Sequence, residues 1–153
     1  MSTLLTTDEL SRFIQQKHDV LVQLHELARR QLAVIASEDT DRLLALLAVK
    51  QPLLNELQRL ERALDPYRDQ DPQQRQWRQA ADRRHCQVIA ERAAQLLKEL
   101  LLLERQAELE TIARRDHTAT QLQAAGHAMA AKQAYSTAAS FPAASQLDLM
   151  SET

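Results

Sequence analysis

The chain has 153 residues and a formal net charge of -2, with one Gly, four Pro, one Cys and 3% aromatic residues. Too few turn glycines and aromatic or β-branched strand formers exclude a β-sheet protein, and the charge balance argues against a general nucleic-acid binder. The lone Cys86 excludes an intrachain disulfide and fits a reducing cytoplasm.

The opening residues Met1 to Glu9 carry neither a basic region nor an apolar run, so no signal peptide is expected. No apolar run, Leu100 to Leu103 included, approaches the roughly 20 residues that span a bilayer. The composition therefore predicts an all-α, cytoplasmic protein without membrane insertion.

Thr6-Thr7-Asp8-Glu9 has capping-box spacing, which predicts a first helix over about residues 7–36. Phe13, Val20, Leu27 and Val34 recur every seven residues along it, the mark of a face that packs on another helix. Ser37-Glu38-Asp39-Thr40 is polar and rich in capping residues. A short turn there makes the next helix, over about 41–64, an antiparallel neighbour. Pro52 lies inside that helix and is expected to kink or break it near Val49, because it removes a backbone hydrogen bond.

Asp65 to Pro72 reads as a loop, with Asp71 as cap and Pro72 at the first position of a last helix over about 72–133. That helix would be about 90 Å long. Its seam is Ile89, Ala93, Leu96, Leu100, Leu103 and Ala107, alternating steps of four and three, with Trp77 continuing the stripe near its start. The first two helices, about 44 and 36 Å long, reach along only half of it. The stretch from about Leu101 to Gln133 is thus expected to show an apolar stripe without a partner in the chain. The expected architecture is an elongated antiparallel helical hairpin or three-helix bundle with one very long C-terminal helix. It forms one domain over 1–135, followed by a flexible, low-complexity tail over 136–153.

Chemistry is hard to build from these residues. With a single glycine no nucleophile elbow, Walker loop or dinucleotide fingerprint is available. Asp82, His85 and Cys86 have helical spacing but make too few ligands for a zinc site. Asp41 to Lys50 is similar to the helix pattern of chorismate mutase, yet Lys50 stands where that family has Arg, and Glu61-Arg62 replaces its further Lys. No catalytic residue, cofactor or metal is expected.

The layout as a whole resembles the flagellar export chaperones of the FlgN type. The resemblance rests on Leu43-Leu44-Ala45-Leu46-Leu47-Ala48-Val49-Lys50, then Leu53-Leu54-Asn55-Glu56-Leu57, and on the small-residue segment from Ala124 to Tyr135. It covers about residues 5–135. It implies a cytoplasmic, non-enzymatic chaperone that binds the amphipathic C-terminal segments of hook-associated proteins, prevents their premature assembly and delivers them to the type III export apparatus. The contact stripe would be Leu100, Leu103, Leu109, Ile112, Ala113 and Leu122, with Tyr135 near its end. The alternative use of the same stripe is a homo-oligomeric coiled-coil scaffold without a client.

Overall fold

The computed structural model describes the backbone of residues 6–150 and the side chains of residues 6–138. It is all-α: α1 (Thr7–Ser37), α2 (Thr40–Arg68), a 3₁₀ turn (Pro72–Gln74) and α3 (Ala80–Met150). The chain divides into two compact units, Met1–Thr111 and Ile112–Thr153.

In the first unit, Thr6 caps α1 by accepting the Glu9 N–H on its side chain, 3.2 Å away. The helix ends where Glu38 adopts a left-handed conformation and returns its N–H to the Ile35 carbonyl. Asp39 at once caps α2 by accepting the Arg42 N–H. Two residues thus reverse the chain, as the capping residues predict.

Polar side-chain contacts give the directions. Asp8 meets Arg78 at 2.6 Å and His25 meets Glu99 at 3.0 Å, so α3 runs parallel to α1. Lys17 meets Glu61 at 2.6 Å while Gln31 meets Lys50 at 3.0 Å, so α2 is antiparallel. Between the helices lie Val20, Leu21, Leu24 and Ala28 of α1, Leu60 of α2, and Ala93 and Leu100 of α3. Leu53, Leu54, Leu57, Leu96 and Leu103 pack around them. A second cluster joins Leu10, Leu64, Tyr67 and Cys86, with Phe13 and Trp77 against it. Tyr67 is nearly enclosed, and its hydroxyl donates to the Thr6 carbonyl and to Glu9. The Ile89 to Ala107 seam is buried or half-buried throughout.

Three element boundaries differ from expectation. Pro52 does not end α2, which runs unbroken to Arg68 and also takes in Pro66. The packing of Leu53, Leu54, Leu57 and Leu60 outweighs the hydrogen bond lost at Pro52. Past Leu64, burial of Tyr67 and ion pairs from Arg68 to Asp65 and Glu61 extend the helix by a turn.

The long helix does not begin at Pro72. Asp71 does cap, accepting the Gln73 N–H at 3.0 Å, but only a 3₁₀ turn follows. Arg75 is then pulled out to donate to the Tyr67 carbonyl at 2.7 Å. Thr7 donates its hydroxyl to the Gln76 carbonyl, Trp77 covers the second cluster, and Arg78 pairs with Asp8. Tertiary contacts hold residues 75–79 out of a helix, and α3 starts at Ala80. At its other end the helix passes Gln133 and includes residues 136–150, which were expected to be a tail. Alanine, the best helix former, is frequent there. Residues 151–153 lie outside the described residues, as do the side chains of Leu147, Leu149 and Met150.

Candidate binding surface

Within the first unit α3 contributes residues up to Thr111, a length of about 48 Å, close to the roughly 46 Å of α1. Among the described residues, the last one of α3 that is buried is Ala107. Two residues of the expected stripe belong to this core. Leu100 is 4% exposed between Leu24 and Leu60, and Leu103 packs against the same cluster. Leu100 is closed to a partner and Leu103 is half-buried, because the seam continues through them in steps of four and three.

Their neighbours take the open side. Leu101 is 61% exposed and Leu102 65%, and both were missed. The signal was the run of four leucines itself: one helix face accommodates about half of such a run, and the rest meets water. Leu97, Leu101 and Leu102 line a groove of about 460 Å³ with Ala94, Lys17 and Lys98. Leu109, about two turns beyond Leu102, is 52% exposed.

The second unit is helical from Ile112 to Met150, and its described side chains are exposed apart from half-buried Arg114. Ile112, Ala113, Leu122 and Tyr135 of the expected stripe lie here, with Tyr135 81% exposed. Met129 is open as well. Gly126 meets no atom within 4 Å of where a side chain would begin, so helix propensity alone bears on it.

Polar groups in the first unit are mostly committed to holding it together. Lys50 is buried, and its ammonium donates to Gln31 at 3.0 Å and pairs with Glu104, tying all three helices at one level. Glu61 is gripped by Lys17 and Arg68. Burial alone would raise its carboxyl, but the hydrogen bonds from Lys17 and Arg68 outweigh that and hold it below the usual carboxylate range. A hollow of about 700 Å³ lies where the α2–α3 connection crosses the start of α1. Its Arg78, Arg75 and Thr7 are engaged with Asp8, the Tyr67 carbonyl and the Gln76 carbonyl.

The Asp82, His85 and Cys86 trio does not converge: Cys86 faces the core while Asp82 and His85 face solvent. Burial pushes the Cys86 thiol up, against a smaller lowering by a hydrogen bond with Ser11. No group of three His, Cys, Asp or Glu suited to a metal ion occurs among the described residues. Among them, too, no helix is long and apolar enough to cross a membrane.

Comparison of the chain with family models, with curated proteins and with solved structures gives no match.

Proposed function

We propose that this chain is a cytoplasmic export chaperone of the FlgN type, which acts by binding and not by catalysis. Its ligands are the amphipathic C-terminal segments of hook-associated flagellar proteins, held apart from one another until the type III export apparatus receives them. The observation that carries this reading is the exposed aliphatic surface of α3 within the first unit, Leu101, Leu102 and Leu109; Ile112 and Leu122 of the second unit, taken by itself, are exposed as well. Leucines on an otherwise well-paired helical protein are a surface for another helix, and an amphipathic segment supplies one. The sequence resemblance over residues 5–135 supplies the identity of that segment.

The test is a titration of a purified hook-associated C-terminal segment with the full chain and with Leu109→Asp, Ile112→Asp and Leu122→Asp. Helicity and mass are followed in parallel. Loss of binding in the variants, with helicity and mass unchanged, is the expected result. A homodimer that dissolves in the same variants, with no affinity of the wild type for the segment, would instead make the chain a self-associating coiled-coil scaffold.

A further inference from the structure

The first turns of α2 hold a feature that the α3 surface leaves unexplained. Leu43 to Val49 is seven consecutive aliphatic residues, the longest such run in the chain, and none of the seven is buried. A helix packed on one side encloses three or four of seven such residues. The cause lies one residue on, at Lys50. Its ties to Gln31 and Glu104 fix the rotation of α2, so the side chain turned most fully inward at this level is a lysine. Leu43 and Leu46, seven and four residues before it, are left half-buried on the same face, while Leu44, Ala45, Ala48 and Val49 face out.

Beside this run the two helices part into a groove of about 470 Å³. Leu27, Ala33 and Val34 of α1 and Ala45, Leu46 and Val49 of α2 give it an apolar lining. The charged residues lining it are Arg30 and Arg42, and no acidic residue lines it. Arg30 shares its guanidinium with Glu26 at 3.2 Å, outside the groove. The Arg42 side chain has no ion pair among the described residues, its backbone N–H alone being taken by Asp39.

We propose that this groove is a second docking site, for an amphipathic helix of another protein whose apolar stripe is flanked by carboxylates. The apolar lining takes the stripe, and Arg42 and Arg30 take the acidic flank, Arg offering paired donors to a carboxylate. A two-fold pairing of copies through the same groove is disfavoured, since it brings each copy's arginines toward the other's. The inference stands apart from the chaperone reading: it uses α1 and α2 alone.

Two labelled 20-residue peptides test it by fluorescence anisotropy with the full chain. Both carry Leu at i, i+3, i+4 and i+7, one with Glu and the other with Lys on the flanks. The Glu peptide is expected to bind about fivefold more tightly than the Lys peptide, the scale of two exposed ion pairs. Arg42→Glu should reverse that order, and Val49→Asp should abolish the preference for the Glu peptide with helicity intact. Leu109→Asp should leave that preference unchanged, which separates this site from the α3 surface. Equal binding or no binding of the two peptides would overturn the proposal. So would loss of the preference in Leu109→Asp, or a dimer in light scattering that Val49→Asp dissolves.

Discussion

Residues 80–111 and 112–138 lie in one helix and are both rich in leucine or alanine, yet the first stretch contributes to a core and the second is exposed apart from half-buried Arg114. Composition does not separate them; spacing does. Up to Ala107 an apolar residue returns every three or four positions, and α1 and α2 fill the groove beside it. Beyond Leu109 the large aliphatic side chains are Ile112, Leu122 and Met129, at intervals of ten and seven with charge and alanine between. A helix needs only local hydrogen bonds to persist, whereas burial needs a continuous seam and a partner of matching length. In this chain both run out within a turn or two of each other.

The comparison is sharpest in the energies of equivalent truncations. Leu24 is fully enclosed, and Leu24→Ala should cost about 3–4 kcal/mol in denaturant unfolding of the full chain. Leu122→Ala should cost less than about 0.5 kcal/mol, since the side chain already meets water. Comparable losses at the two sites would mean that Leu122 is covered in solution.

A smaller effect is expected at the level where the three helices are tied. Glu104→Ala leaves the buried Lys50 ammonium with Gln31 alone and should destabilise by about 2–3 kcal/mol. A neutral outcome would show that Lys50 swings out to solvent, and α2 would then be free to rotate its aliphatic run inward.

Glu61 should give the smallest effect, and one with a pH signature. Its carboxyl lies below the ordinary range in the folded chain, so the charged form stabilises the fold above the unfolded value near pH 4. That contribution is lost as the pH falls through the lower, folded value. Glu61→Gln should therefore cost about 1 kcal/mol at neutral pH, with wild type and variant converging in acid. A difference that persists undiminished below about pH 3 would place the effect in packing instead.

Much of this architecture is legible in the residues. The Thr6 cap, the polar turn at Ser37 to Thr40 and the Ile89 to Ala107 seam each follow from local spacing, and the helices form where those signals put them. What spacing does not carry is choice between equivalent local options. Asp71-Pro72 is a good helix start, but the Tyr67 carbonyl, Thr7 and Asp8 claim the residues that would have continued it. In the run Leu100 to Leu103 any member fits the seam, and packing against Leu24 and Leu60 selects Leu100 and Leu103 for the core. That selection moved two residues out of the expected stripe and put Leu101 and Leu102 on the surface. The outward turn of Leu44 and Val49 depends on Lys50 finding partners 19 and 54 residues away, which no window along α2 reveals.

The most direct test of the account is hydrogen exchange on the full chain, alone and with a purified hook-associated C-terminal segment. Alone, amides of α1, α2 and α3 up to Ala107 should be strongly protected, and those from Ile112 onward should exchange rapidly. Adding the segment should slow exchange around Leu109 to Leu122 and leave the Leu24 level unchanged. Strong protection beyond Ile112 without the segment, in a species of twice the monomer mass, would contradict the account and show that the chain covers this surface with itself.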